Sequence, residues 1–213
     1  MDIELLTRNR LVVVLRAVPD GQLVDVAGVL HTAGVRLIEV AFSTGGDPNA
    51  DANRVARIVE AGLAGLHVGA GTVTTTSEAS AAADAGAEFI LSPDTRDEVI
   101  LATRRLGLLS IPGAMTPSEI GHAVDAGADV VKVFPAATLG PSFLREIRGP
   151  MPQVPLCAVG GVTADNVRAF IDAGALCAGV GSAALPRDDA GRIDLAAAGE
   201  RARALVEAVR GEG

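Results

Sequence analysis

The chain has 213 residues, 49% of them hydrophobic, with no Trp or Tyr and a formal net charge of −8. That length suits one α/β domain with an aliphatic core of Val, Leu, Ile and Ala. The acidic balance, without a Lys/Arg-rich block, argues against a nucleic-acid partner, and no apolar run nears the ~20 residues of a membrane span. Met1-Asp2-Ile3-Glu4 lacks the charged-then-apolar order of a signal peptide, so the expected location is cytoplasmic.

Short apolar runs alternate with Ala-rich amphipathic stretches along the whole chain. After an N-terminal helix, the pattern predicts strand 11–17, helix 22–32, strand 37–43 and helix 49–61. Strand 67–73, helix 77–85, strand 89–93 and helix 96–105 follow. Next come strand 108–114, helix 117–125, strand 130–136 and helix 141–148. Strand 155–161, helix 164–172, strand 178–183 and a last helix at 195–210 complete the series.

The punctuation repeats as well. Ala33-Gly34, Ala85-Gly86, Ala126-Gly127 and Ala173-Gly174 stand where helix passes to strand, the place for a left-handed cap. Thr116-Pro117-Ser118-Glu119 has the order of a capping box with Pro at the first helical position, and Thr163 is read as a second capping hydroxyl. Eight strands alternating with helices predict a single (β/α)8 TIM barrel over 1–213, rather than an open sheet. No Gly-x-Gly-x-x-Gly opens the first helix, where Val18-Pro19-Asp20-Gly21 stands, so a dinucleotide fold gains no support.

Cys157 and Cys177 read as small buried thiols, and His31, His67 and His122 lack ligand spacing, so no metal is expected. Lys132 is different. It is the single lysine beside seventeen arginines, and it lies within the β-branched run Val130-Val131-Lys132-Val133. A guanidinium stays protonated, whereas a buried ammonium can lose its proton and attack a carbonyl. The plainer reading is a lysine paired with a carboxylate or reaching solvent at a strand end.

In a barrel, chemistry belongs at the carboxyl ends of the strands. Arg16, Thr72, Pro93, Pro112-Gly113, Phe134, Gly160-Gly161 and Gly181-Ser182 all fall at such ends. Side chains alternate along a strand, so Lys132 and Phe134 share one face while Val131 and Val133 take the other. Glu39, flanked by Ile38 and Val40, is a carboxylate that burial disfavours without a partner or a purpose. Lys132 as nucleophile and Glu39 as general base suffice for imine chemistry. A structural ion pair of Glu39 with Lys132 or Arg16 is the alternative. Gly160-Gly161 before the Thr163 helix start, and Gly181-Ser182 before a turn, suit a phosphate cradle after the last two strands.

Leu37-Ile38-Glu39-Val40, Gly69-Ala70-Gly71-Thr72-Val73, Leu91-Ser92-Pro93, Ile111-Pro112-Gly113, Val131-Lys132-Val133-Phe134-Pro135, Gly160-Gly161-Val162 and Gly179-Val180-Gly181-Ser182 occur in this order. The set resembles the class I aldolases of 2-keto-3-deoxy-6-phosphogluconate, the KDPG/KHG aldolases, over nearly the whole chain. The resemblance implies Lys132 as the Schiff-base lysine and Glu39 as the acid/base acting through bound water. It implies Thr72 and Pro93 around the pyruvyl carboxylate, Phe134 beside the imine and Arg16 near the reactive centre. Gly160, Gly161 and Ser182, with Gly181 beside them, match the phosphate end. It further implies pyruvate and D-glyceraldehyde 3-phosphate as products, no metal or organic cofactor, and a homotrimer.

Two positions depart from the phosphogluconate pattern. Ser43 stands where some members carry an arginine that helps hold phosphate. Val159 stands where phosphogluconate enzymes commonly have Thr, as in relatives acting on the C4 epimer, 2-keto-3-deoxy-6-phosphogalactonate. Both epimers stay open, as does 4-hydroxy-2-oxoglutarate. Outside aldol chemistry, the alternatives are a phosphate-binding barrel using Lys132 electrostatically and a catalytically inactive barrel. The electrostatic alternative wants an Asp close to the lysine, and Asp129 lies three residues away, on the opposite strand face.

Overall fold

The computed structural model describes residues 2–211. The expected domain span of 1–213 includes Met1, Glu212 and Gly213, which lie outside the described residues. The strands are β1 (Leu11–Leu15), β2 (Leu37–Ala41), β3 (His67–Gly71), β4 (Phe89–Leu91), β5 (Leu109–Ile111), β6 (Gly113–Ala114), β7 (Val131–Val133), β8 (Leu156–Val159) and β9 (Cys177–Val180). All their pairings are parallel, in the order β5-β4-β3-β2-β1-β9-β8-β7-β6. Only Pro112 separates β5 from β6, so the two ends of that order are one stretch of chain and the sheet closes into a barrel. Pro112 has no N–H to offer a ladder, which splits the expected fifth strand into a half facing β4 and a half facing β7. Its carbonyl still accepts from the Lys132 N–H at 2.8 Å.

The helices are α1 (Ile3–Asn9), α2 (Leu23–Thr32), α3 (Pro48–Glu60), α4 (Thr76–Asp84), α5 (Asp97–Arg105), α6 (Pro117–Asp125), α7 (Ala136–Arg148), α8 (Val167–Asp172) and α9 (Leu195–Arg210). Thr116 and Glu119 form the expected capping box, and Thr75 with Glu78 forms another. Gly34, Gly86, Gly127 and Gly174 all take φ between 88° and 101°, the left-handed region their position requires. α7 starts at Ala136 rather than 141, because Gly140 (φ 78°, ψ 162°) joins a short first segment to the one that Pro141 opens. The Thr163 cap is a correction. α8 begins at Val167, and the Thr163 N–H instead donates to Asn166 Oδ1 at 2.9 Å.

Strand alternation sorts the core into two bodies. Leu11, Val13, Leu15, Ile38, Val40, Val131 and Val133 face the helices. Val12, Leu37, Phe89, Leu91, Leu109, Ile111, Val130, Cys157, Val159 and Cys177 fill the barrel, joined by Leu6 of α1. Small residues make room inside: a Cβ on Gly69 would overlap the Phe89 ring, and one on Gly179 would press on Val159. Cys157 and Cys177 are register partners on β8 and β9, both free and buried. Their mutual hydrogen bond and burial push the Cys177 thiol well above its ordinary range.

Candidate active site

Several strands stop earlier than their apolar runs. β1 ends at Leu15 and β3 at Gly71, because Ala17 (φ 52°) and Thr72 (φ 60°) turn the backbone into the left-handed region, which an extended ladder cannot follow. The residues beyond those ends border a cavity of about 600 Å³ at the carboxyl side of the barrel. All eleven residues expected at the site line it: Lys132 and Glu39, then Arg16, Thr72, Pro93 and Phe134, then Val159, Gly160, Gly161, Gly181 and Ser182.

Lys132 sits on β7 between Gly113 of β6 and Cys157 of β8. It is 7% exposed, while its neighbours Val131 and Val133 are buried against the helices, so the amine points inward. Its Nζ lies 4.8 Å from the centroid of the Phe134 ring, which is 39% exposed at the mouth. Burial pushes the Lys132 pKa down; Glu39, Cys157 and Asp94 oppose that shift, and Arg16 adds to it. The net direction favours the neutral, nucleophilic amine.

Glu39 is 2% exposed on β2, between Val14 of β1 and Gly69 of β3. Gly71 gives its carboxyl room, since a Cβ there would overlap Glu39 Oε1. Burial pushes the Glu39 pKa up, against the pull of Lys132 and then Arg16. Among the described residues Oε2 is buried without a hydrogen-bond partner, and no ion pair involves Glu39. The alternative of a closed ion pair with Lys132 or Arg16 is therefore not what the side chains form. Arg16 instead donates from Nη2 to Thr72 Oγ1 at 2.7 Å. An amine and a carboxyl, both buried and each pushed toward neutrality in one chamber, can pass protons at little electrostatic cost.

The opposite wall is backbone-rich. Gly160 and Gly161 take φ of 96° and 71°, and a Cβ on either would crowd Phe134 or Ala137. Among the described residues the N–H groups of Gly161, Ser182 and Ala183 have no backbone acceptor. Donors of that kind suit an anion. The Thr163 N–H donates to Asn166 Oδ1, although Thr163 itself lines the cavity. Val159 faces the cavity with methyl groups only.

Residues outside the chamber behave as their surroundings dictate. Ser43 does not line the cavity; its N–H donates to Asp51 Oδ2 at 2.6 Å. Asp129 accepts from the Ser110 N–H at 2.8 Å and pairs with Arg104, turned away from Lys132. His67 pairs with Glu88 and His122 with Asp97, and His31 meets the Ala64 carbonyl at 2.9 Å. Sequence reasoning missed Arg187, which lines the cavity from an irregular loop. Its placement between Pro186 and Asp188-Asp189 reads as a solvated turn.

A parallel barrel with a buried amine and an unpaired carboxyl facing one chamber has the form of a barrel enzyme. The family model described as KDPG and KHG aldolase matches residues 3–199. The chain belongs to that family, whose members are carbon–carbon lyases. It is 33% identical over 178 residues to 2-dehydro-3-deoxy-6-phosphogalactonate aldolase of Escherichia coli K12, covering 83% of this chain and 84% of that one. It is 35% identical over 176 residues to the KHG/KDPG aldolase of the same organism, covering 80% and 79%. A solved structure titled "Native KDPGal structure" superposes with a TM-score of 0.84 at 30% identity, covering 94% of both chains.

Proposed function

We propose that the protein cleaves 2-keto-3-deoxy-6-phosphogluconate, or its C4 epimer 2-keto-3-deoxy-6-phosphogalactonate, by a Schiff-base mechanism. The observation that carries this reading is the inward, desolvated Lys132 sharing a chamber with the unpaired Glu39 carboxyl. The neutral Lys132 amine adds to the C2 ketone to give a carbinolamine. Glu39 delivers the proton that lets hydroxide leave as water, which forms the iminium. The Glu39 carboxylate then takes the C4 hydroxyl proton. The C3–C4 bond breaks, its electrons neutralise the iminium to an enamine, and glyceraldehyde 3-phosphate departs. Protonation at C3 and addition of water release pyruvate and return the free amine.

Arg16 and Thr72 hold the pyruvyl carboxylate beside Pro93, while Phe134 covers the imine and keeps it dry. Gly160, Gly161, Gly181 and Ser182 receive the phosphate. No metal or organic cofactor takes part. Val159 offers methyl groups where a hydroxyl would select one C4 configuration, and 4-hydroxy-2-oxoglutarate is a further substrate of the same chemistry. The protein acts in the cytoplasm as a homotrimer. Among the described residues no helix is long and apolar enough to cross a membrane. Exposed Leu101 on α5, Leu106 just after it, Met115 in the turn between β6 and α6, and Val124 on α6 support an interface with further copies. Sedimentation at one or two chain masses would contradict the trimer. The substrate reading is tested by incubating the protein with each epimer and assaying pyruvate and glyceraldehyde 3-phosphate. Equimolar release of both from at least one epimer is expected; turnover of neither overturns the reading.

A further inference from the structure

One cation of the chamber has no part in the chemistry above. Arg187 lines the same cavity as Gly161 and Ser182. Its Nη1 donates to the Gly191 carbonyl and its Nη2 to the Ala17 carbonyl, each at 2.6 Å. Among the described residues no carboxylate pairs with it. A guanidinium carries five N–H donors, so donors remain and the positive charge is uncancelled. The two carbonyls hold the planar head in place before any ligand arrives, which lowers the entropy lost on binding.

Charge balance points the same way. Among the described residues, Arg16, Lys132 and Arg187 line the cavity against one carboxylate, Glu39. Lys132 is needed as a neutral amine, and Arg16 is directed across the chamber to Thr72. Arg187 is the remaining cation, on the loop that follows β9 and carries the open N–H groups of Ser182 and Ala183. That side of the cavity lining thus combines open backbone donors with a fixed guanidinium, groups that suit a phosphate.

We propose that Arg187 binds the phosphate at the far end of the substrate and so sets the preference for phosphorylated over unphosphorylated 2-keto-3-deoxy acids. This rests on the aldolase reading, and the test separates the two. Arg187→Gln removes the charge, and Arg187→Lys keeps it without the planar fork. In R187Q the KM for the phosphorylated substrate rises about 10- to 100-fold while kcat stays within about threefold. The same acid without its phosphate is cleaved with unchanged kcat/KM. Inorganic phosphate, titrated by calorimetry, binds R187Q at least about tenfold more weakly than the unaltered protein, and R187K recovers part of that loss.

Equal losses on both substrates would overturn the proposal, since Arg187 would then act through the Ala17 carbonyl beside Arg16. Unchanged phosphate affinity in R187Q would overturn it too. Trapping of pyruvate with borohydride should match the unaltered protein in R187Q. Failure to trap in the unaltered protein would fell the aldolase reading instead, and the phosphate titration would still decide the role of Arg187.

Discussion

Gly71→Ala places one methyl group against the carboxyl to which the proposed mechanism assigns proton transfer. The added Cβ would overlap Glu39 Oε1, Cδ and Cγ. Gly71 pairs with Ala41 of β2 and Leu91 of β4, so the backbone is held on both sides and the Glu39 side chain must give way. No positive φ is involved, and alanine is tolerated by the strand itself. Overpacking of this size costs about 1–3 kcal/mol. Relief of a desolvated carboxyl offsets part of it, so the fold survives with a modest fall in Tm. Activity fares worse. A positioned proton-transfer group contributes about 10²–10⁴-fold, so kcat in G71A falls by at least about 10²-fold, near the loss in Glu39→Gln. The double variant G71A/E39Q should be no slower than E39Q alone, because both changes remove one function. Pyruvate release measures the rate, and thermal melting confirms the fold. A G71A protein within about threefold of normal kcat, or losses that multiply in the double variant, would refute the reasoning.

Two further outcomes follow from the same pair. Glu39 holds the Lys132 pKa up against burial, so Glu39→Gln should move the pH midpoint for borohydride-trapped pyruvate adduct to a lower value. Slower trapping is also expected in that variant; an unmoved or raised midpoint would show the two groups to be uncoupled. Lys132→Met with Glu39→Gln should abolish turnover yet leave Tm unchanged or higher, because two buried ionisable groups without an ion-pair partner lose their desolvation cost. A clear drop in Tm would mean that the pair holds the barrel together.

The alternation of strand and helix was legible because inward and outward positions separate cleanly, with Val131 and Val133 against the helices and Lys132 inside. The lone lysine and the apolar flanks of Glu39 marked the candidate site by chemistry rather than by position. Other features left weaker traces. Ala17 and Thr72 turn left-handed, a conformation that neither residue type favours, so the early strand ends carry no local sign. The split at Pro112 follows from a missing N–H whose partner strand only the closed barrel defines. Thr163 looked like a cap because spacing shows a hydroxyl before a helix, yet the bond that forms runs the other way, from the Thr163 N–H to Asn166 Oδ1. Gly69, Gly71 and Gly179 had a clue in their alternate placement on strands, where glycine often means that another group approaches closely. Arg187 is held at the cavity by Gly191 in its own loop and by Ala17 near the other end of the chain, and contact between such distant segments as the latter has no periodic signature.

The most direct test is reduction of the protein with borohydride in the presence of pyruvate, followed by peptide mass analysis, with Lys132→Arg as the comparison. A single pyruvyl adduct on Lys132, absent from K132R although that variant folds, is the predicted result. An unmodified Lys132, or ordinary turnover by K132R, would contradict the claim that a dry amine inside this barrel attacks the substrate carbonyl.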